Sequence, residues 1–236
     1  MPCLAGQTAP FDPLGRKNSM LNQSKIKAIV FDWDGVIVDS MPMAALVIQA
    51  TAASYGVQIS VEKILATYFQ PKEAFFRGIG IDTTNVTELR ARHSANDNKY
   101  LYNSNPPLCS DVLPTLEQLA EKQFGLGIVT GRSQNNIQGE IATRGLQRLF
   151  SSEQLLGGEN AKEENLATLI ERFGIASNKL LFVGDLPSDI TAAKNIGAKS
   201  AGIARHESGK ARLKAMGPDY FLDSLTDLLA VVGIVP

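Results

Sequence analysis

The chain has 236 residues, a hydrophobic fraction of 44%, a charged fraction of 20% and a formal net charge of -1. These values are typical of a globular protein, exclude disordered and fibrous classes, and give no general attraction for a polyanion, so nucleic acid is not an expected partner. The sequence has two cysteines, Cys3 and Cys109, and their spacing is not that of metal ligands. Two cysteines so far apart also do not predict a disulfide scaffold, which favours a reducing, cytoplasmic location.

The N-terminal segment, residues 1–23, mixes Pro, Gly and polar residues without sustained periodicity. This composition predicts a flexible extension. A run of about 18 apolar residues, which a membrane-spanning helix needs, does not occur in the sequence. No membrane partner is therefore expected.

Short apolar runs then alternate with amphipathic stretches, a pattern typical of an α/β, Rossmann-like parallel sheet with helices on both faces. Strands are predicted at 28–31, 126–129, 180–183 and 200–203, with a possible edge strand at 220–222. Helices are predicted at 113–122, 136–144, 163–173 and 189–196. Left-handed helix ends are expected at four glycines, namely Gly125, Gly145, Gly174 and Gly197.

One segment interrupts this alternation. Residues 42–107 carry helical patterns at 43–55, 61–69 and 86–102 and no convincing strand. Prolines lie at both ends of the segment, where helices stop and hinges occur. The pattern predicts an all-helical cap domain at 42–107, inserted into a core domain formed by 24–41 and 108–236.

Polar residues follow the predicted strands. Asp32 and Asp34 follow the first, Thr130 ends the second, and Asp185 and Asp189 follow the third. The carboxyl ends of parallel strands meet at one edge of the sheet, and residues two apart in a strand share a face. Clustered carboxylates repel one another unless a cation lies among them, and hard oxygen ligands favour Mg²⁺. The cluster therefore predicts a magnesium site.

Four motifs in this order carry a resemblance to a known family. They are FDWDGVIVDS at 31–40, IVTG at 128–131, the basic residue Lys162, and FVGDLPSDI at 182–190. From residue 25 to about 230 the sequence resembles the haloacid dehalogenase superfamily. The similarity is to its phosphatase branch with a helical cap, which includes phosphoglycolate phosphatases and β-phosphoglucomutase-like proteins. Glu163 follows Lys162 where the family often has a proline, so the register of this lysine is open by a few residues.

The resemblance implies a role for each motif position. Asp32 would be the nucleophile that forms an aspartyl phosphate, and Asp34 the general acid and base. Mg²⁺ would be held by the Asp32 carboxylate, the Asp34 backbone carbonyl and the Asp185 carboxylate, with Asp189 as a further ligand or a support. The phosphoryl oxygens would be bound by three further residues, namely Thr130, Gly131 and Lys162.

The function expected from these roles is Mg²⁺-dependent hydrolysis of a small phosphorylated metabolite, such as phosphoglycolate or a sugar phosphate. A sugar phosphomutase is an alternative, although residues 41–55 lack the histidine usual in such caps. A phosphonate hydrolase is a second alternative, although that branch carries a small residue in place of Asp34. A non-catalytic phospho-acceptor or binding protein is a third. The cap contains no motif that predicts the substrate, and the sequence does not predict the oligomeric state.

Neighbouring polar residues are expected to be structural. Arg132 is expected to be solvated and Trp33 to pack, while Asp39 and Ser40 are expected to cap the first cap helix. The remaining candidates, His93, His206, Lys72 and Arg77, are assigned to structural or solvated positions.

Overall fold

The computed structural model describes residues 26–68, 71–102, 105–158 and 160–234. The predicted extension at 1–23 lies outside the described residues. Among the described residues, no helix is both long enough and apolar enough to cross a lipid bilayer.

A parallel sheet forms the centre of the molecule, with the strand order β3-β2-β1-β4-β5-β6. The strands are β1 (Ala28–Phe31), β2 (Gly125–Thr130), β3 (Leu155–Gly157), β4 (Leu180–Gly184), β5 (Lys199–Ile203) and β6 (Tyr220–Leu222). β1 is buried at every position, as expected for an apolar strand covered on both faces. The strand order reverses beside β1, and such a reversal opens a crevice at the carboxyl ends of the strands.

Helices pack against both faces of the sheet and also form a separate layer. They are α1 (Met41–Ala53), α2 (Val61–Thr67), α3 (Lys72–Gly78), α4 (Val86–Asn96), α5 (Val112–Glu121), α6 (Gln134–Thr143), α7 (Lys162–Phe173), α8 (Pro187–Asn195), α9 (Glu207–Ala215) and α10 (Asp227–Val231). The predicted α/β class is confirmed.

Alternation along β1 divides the core into two hydrophobic layers. Ile29 and Phe31 belong to a cluster that includes residues of α5, α6 and α10. Val30 points to the opposite face and belongs to a cluster with residues of α7 and α8. Because side chains alternate across a strand, the four residues of β1 contribute to both layers.

The helices α1 to α4 share a hydrophobic cluster of their own, which includes Ile48, Ile64, Phe76 and Leu89. Within 42–107 the described residues contain no strand, in agreement with the helical prediction. α4 continues into a π-helical segment, Asp97–Tyr102, rather than as one α-helix to residue 102. The domain limits at 42 and 107 stay a prediction.

Several elements differ from the expected ones. β3, α3, α9 and α10 were not predicted, because they are short and lack a long periodic pattern. Gly145, Gly174 and Gly197 have positive φ as predicted. The prediction for Gly125 is wrong, since this residue begins β2 and Gln123 takes the left-handed conformation instead.

Gly157 in β3 allows a close approach between the sheet edge and the following loop. A Cβ at this position would collide with the backbone carbonyl oxygen of Arg132. Gly139 lies on the exposed side of α6. Apart from the backbone of its own helix, no described atom lies within 4 Å of a Cβ added there. The two glycines therefore offer a matched pair of substitutions.

We expect Gly157→Ala to lower the free energy of unfolding by about 1–3 kcal/mol, because overpacking forces the backbone to shift. Gly139→Ala should raise it by roughly 0.5–1 kcal/mol, because glycine is a poor helix former. Urea denaturation of both variants checks this. Equal stability of the two variants would contradict the described contact between β3 and the Arg132 loop.

His93 is a buried residue of α4, with 6% of its surface exposed. Its Nδ1 lies 3.3 Å from Thr51 Oγ1, and its Nε2 lies 3.8 Å from a carboxylate oxygen of Asp97. Burial lowers the pKa of His93 to about 3, with Lys72 acting in the same direction and Glu73 against it. Burial raises the pKa of Asp97 to about 6. The structural role predicted for His93 agrees with this environment.

We expect His93 to make the protein less stable as the pH falls from 7 to 5. The unfolded chain protonates this histidine below about pH 6.5, whereas the folded protein does so only near pH 3. By linkage, the free energy of unfolding should fall by about 2 kcal/mol over this range from His93 alone. Asp97 acts in the opposite sense, because its raised pKa favours the folded state at low pH.

The His93 contribution is therefore measured as a difference between variants. Denaturant unfolding of the unsubstituted protein and of His93→Gln, each at pH 7 and pH 5, isolates it because Asp97 is present in both. The same pH dependence in both proteins would show that the pKa of His93 is unchanged by folding, as for a solvated histidine.

Candidate active site

The carboxyl ends of β1, β2 and β4 lie side by side. Phe31, the last residue of β1, pairs with Ile128 of β2 and with Val183 of β4. The Asp32 amide donates to the Val183 carbonyl at 2.9 Å, which fixes Asp32 at the edge of the sheet. Carboxylate oxygens of Asp32, Asp185 and Asp189 all lie within 4.8 Å of one another. The structure thus brings these three predicted site residues together.

A tight turn follows β1. The amides of Ile37 and Val38 donate to the Trp33 carbonyl at 3.0 and 3.1 Å, and Gly35 has a φ of 76°. A Cβ on Gly35 would collide with the Asp185 carboxylate, so both the conformation and the packing require glycine. The expectation that Asp32 and Asp34 share a strand face is wrong, because β1 ends at Phe31 and the turn sets the direction of Asp34.

Lys162 joins two of the acids. It is the first residue of α7, and its Nζ lies 2.6 Å from Asp189 Oδ1 and 3.0 Å from Asp32 Oδ2. The second Asp189 oxygen accepts the Leu186 amide at 3.0 Å. Because each carboxylate oxygen has a second lone pair, Asp189 can orient Lys162 and still belong to the group of three acids that could hold a cation. The candidate lysine therefore reaches the site despite the open register.

Burial and charge repulsion raise the pKa of two carboxyl groups in this cluster, those of Asp32 and Asp185. Burial raises the pKa of Asp32 to about 7, while the Lys162 ammonium opposes this shift and the neighbouring carboxylates add to it. Burial, together with Asp189 and Asp32, raises the pKa of Asp185 well above its usual value. Burial alone would lower the pKa of Lys162, but Asp189 and Asp32 raise it overall. A further positive charge beside Asp32 and Asp185 would offset these costs.

Thr130 is the last residue of β2 and Gly131 follows it, at the carboxyl end of the strand that pairs with β1. Thr130 is 2% exposed, and its Oγ1 accepts the Arg132 amide at 3.3 Å. Gly131 has no described atom within 4 Å of an added Cβ. This open space leaves room for a ligand next to the backbone of Gly131.

Arg132 does not have the solvated side chain that the sequence predicted. The side chain is 2% exposed; its Nε donates to Asp34 Oδ2 at 2.7 Å and its Nη2 to Asp34 Oδ1 at 2.6 Å. Its Nη1 contacts Glu140 of α6, and the Trp33 indole donates to the same carboxylate at 3.1 Å. Trp33 is fully buried, as predicted. The sequence analysis did not identify Glu140 as a site residue. An apolar strand pattern does not predict which acid of a neighbouring helix contacts Arg132.

The predicted cap by Ser40 is also wrong. Ser40 precedes α1, but its side chain makes no capping hydrogen bond to the described residues. Its backbone is helical, with φ -94° and ψ -10°, whereas an N-cap side chain reaches its amide from an extended backbone. Asp39 instead lies 3.6 Å from His206 Nε2.

The sequence profile of the family described as haloacid dehalogenase-like hydrolase matches residues 29–203. The chain belongs to the haloacid dehalogenase-like hydrolase family. The predicted family resemblance and the prediction of an enzyme are thereby confirmed.

This haloacid dehalogenase-like hydrolase matches several known proteins over nearly the whole length of each. A phosphoglycolate phosphatase of Haemophilus influenzae is 26% identical over 226 residues, covering 89% of this chain and 99% of that protein. A pyrophosphatase of Bacillus velezensis is 26% identical over 221 residues, covering 91% and 100%. A solved haloacid dehalogenase-like hydrolase of Streptococcus pneumoniae has a TM-score of 0.75 at 21% identity, covering 88% and 98%.

The donor set of this haloacid dehalogenase-like hydrolase fits a hard divalent cation. Asp185 Oδ1 is buried and accepts no hydrogen bond from the described residues. It lies in the same acidic cluster as Asp32, whose Oδ1 accepts the backbone amide of Trp33 at 2.9 Å. Oxygen ligands in a compact, partly solvated cluster suit Mg²⁺. Asp32 and Asp185 could therefore hold this ion, with Asp189 orienting the lysine beside it.

We expect millimolar Mg²⁺ to raise the thermal unfolding midpoint of this haloacid dehalogenase-like hydrolase, because a ligand that binds only the folded state stabilises it. Asp185→Asn should abolish the shift, since it removes a charged ligand. Asp223→Asn, which changes an acid that is 77% exposed, should retain it. Differential scanning fluorimetry with Mg²⁺ or EDTA measures both. An undiminished shift in Asp185→Asn would contradict this metal site.

Proposed function

We propose that this chain is a Mg²⁺-dependent phosphatase that hydrolyses a small phosphorylated metabolite through an aspartyl phosphate on Asp32. The observation that carries the proposal is the position of Asp32 at the tip of β1, 3.0 Å from the Lys162 ammonium and within the cluster formed with Asp185. Phosphatase names among the relatives support the same reaction class.

The metal would be held by the Asp32 carboxylate, the Asp34 backbone carbonyl and the Asp185 carboxylate, with Asp189 as a further ligand or a support. When bound, Mg²⁺ would supply charge neutralisation for the phosphoryl group and for the carboxylates around it. The Lys162 ammonium, the Thr130 hydroxyl and the Gly131 amide would bind the phosphoryl oxygens through hydrogen bonds.

In the first half of the reaction, an Asp32 oxygen attacks phosphorus in line with the leaving oxygen. The new bond joins phosphorus to Asp32, and the bond from phosphorus to the leaving oxygen breaks. The protonated Asp34 carboxyl gives its proton to that oxygen, so the product leaves as an alcohol. Lys162 offsets negative charge on the transferred group.

In the second half, water attacks the phosphorus of the aspartyl phosphate. The Asp34 carboxylate takes a proton from this water, and the bond between phosphorus and Asp32 breaks. Inorganic phosphate leaves, Asp32 returns to its carboxylate form and Asp34 regains the proton it gave. One water is consumed for each ester hydrolysed.

Residues 42–107 would form a cap that closes over the leaving group and selects the substrate. Phosphoglycolate is the first candidate, because it is the substrate named for several relatives. A cytoplasmic location and a small-molecule partner fit this role. The alternatives share Asp32 but differ in product: a phosphomutase moves the phosphoryl group to another hydroxyl, a phosphonate hydrolase cleaves carbon–phosphorus bonds, and a binding protein releases nothing.

A screen of phosphorylated metabolites tests the proposal, with inorganic phosphate as the readout. We expect release from phosphoglycolate or another small phosphate ester in Mg²⁺, and a loss of at least about 100-fold in EDTA or in Asp32→Asn, because the nucleophile and its charge neutralisation are removed. Full activity of Asp32→Asn would exclude the aspartyl phosphate. Isomerisation of a sugar phosphate without phosphate release would favour the mutase.

A further inference from the structure

A buried guanidinium fixes the carboxylate of Asp34. Arg132 donates to both Asp34 oxygens, at 2.7 and 2.6 Å, and two parallel hydrogen bonds set the plane of a carboxylate as well as its position. Each oxygen keeps a second lone pair. The Asp34 carboxyl can therefore exchange a proton in a defined direction while Arg132 holds it. The Asp34 side chain is 32% exposed and Arg132 only 2%, so Arg132 supports Asp34 from the protein interior.

Glu140 in turn fixes Arg132. One Glu140 oxygen accepts Arg132 Nη1, and the other accepts the Trp33 indole at 3.1 Å and Arg144 Nη2 at 3.4 Å. The guanidinium is thus engaged by a carboxylate at each end. With Nε, Nη1 and Nη2 all directed at Asp34 or Glu140, Arg132 is poorly placed to bind the substrate phosphate directly.

Arg144 connects Glu140 to the chain segment at 105–107, which links the predicted cap to the second part of the core. Arg144 Nη2 donates to the Pro106 carbonyl at 2.7 Å and to Asn105 Oδ1 at 2.8 Å. Both acceptors lie in the proline-rich linker between the cap helices and α5. Glu140 is therefore anchored to α6 by its backbone and to this linker through Arg144.

We propose that Arg132 and Glu140 are positioning residues that orient the carboxyl of Asp34 for proton transfer to the leaving oxygen and from the attacking water. The proposal rests on the function proposed above, in which Asp34 is the general acid and base. Neither residue touches the reacting atoms; Arg132 acts on Asp34, and Glu140 acts through Arg132. A displacement of about 1 Å in such a group can cost 100-fold in rate.

The leaving group separates positioning from a structural role. An alkoxide is a poor leaving group and needs the proton from Asp34, whereas 4-nitrophenolate is stable as an anion and needs it far less. Asp34 also serves the later attack of water, which is common to both substrates and enters kcat, whereas kcat/KM reports only the steps up to release of the first product. Loss of acid orientation should therefore lower kcat/KM much more for an alkyl phosphate than for an aryl phosphate. A general loss of folding or of phosphate binding would slow both substrates by the same factor.

The experiment measures kcat and KM, with Mg²⁺ present, for 4-nitrophenyl phosphate and for phosphoglycolate. If another alkyl phosphate is turned over faster in the screen, it replaces phosphoglycolate. Asp34→Asn sets the scale, with an expected loss of about 100-fold or more in kcat/KM on the alkyl phosphate, as is usual for general acid catalysis. Arg132→Met and Glu140→Gln should lose about 10-fold in kcat/KM on the alkyl substrate and less than about 3-fold on the aryl substrate.

Arg132→Lys tests whether orientation or charge is needed. Lysine keeps the positive charge but cannot make the two parallel hydrogen bonds, so we expect the same alkyl-specific loss. Full alkyl activity in Arg132→Lys would overturn the role of the bidentate contact. Glu117→Gln is the matched control, because it breaks an exposed ion pair with Arg148 far from the site and should leave both activities unchanged.

Arg132→Met leaves Asp34 and Glu140 facing each other without a cation, so its unfolding midpoint is measured alongside its activity. If that variant does not fold, Glu140→Gln carries the test, because it keeps the contact between Arg132 and Asp34. Equal losses of kcat/KM on both substrates, or no loss in Glu140→Gln, would overturn the proposal. Failure of the proposed function would be distinct, since Asp32→Asn would then retain its activity.

Discussion

The repulsion among carboxylates buried at one edge of the sheet is the constraint on which the site depends. Asp32, Asp185 and Asp189 lie within a few ångströms of one another, and burial raises the pKa of the first two. Lys162 compensates part of this charge through contacts with Asp32 and Asp189. The remaining imbalance lies at Asp32 and Asp185, and it is there that a divalent cation would stabilise the folded protein most.

The fold creates this constraint through the position of β1 between β2 and β4. The apolar residues of β1 are covered on both faces of the sheet. Asp32, the first polar residue after β1, therefore lies at the carboxyl edge of the sheet. Two glycines make the edge compact: Gly35 leaves room for the Asp185 carboxylate, and Gly184 leaves room for the Asp189 side chain. Local backbone sterics and the electrostatics of the site are thus set by the same few positions.

The sequence predicted best what depends on buried strands. β1, β2, β4 and β5 are apolar runs, and parallel strands place their carboxyl ends together, so the gathering of Asp32 and Asp185 followed from pattern alone. β3 was missed, because it consists of two leucines followed by Gly157 and offers no unbroken apolar run. β6 is equally short, but its three residues, Tyr220–Leu222, are all apolar or aromatic. The environment of Arg132 was mispredicted for a different reason: it depends on a contact with Glu140 eight positions later on α6, and a strand pattern says nothing about such contacts.

The burial of Arg132 is better explained by the fixed orientation that it gives to the Asp34 carboxylate than by a gain in folding stability. Removing an arginine and its acids from water costs several kcal/mol, and replacing such a buried group by apolar residues of similar volume is often neutral or stabilising. The contacts with Asp34 and Glu140 therefore contribute little net stability for the number of hydrogen bonds they contain. What they contribute is a single geometry, because a planar guanidinium joined to two carboxylates has few alternatives. In the proposed reaction Asp34 would be the catalytic acid in a partly exposed turn, and it would need this kind of support, since the turn by itself leaves the χ angles of Asp34 free to rotate.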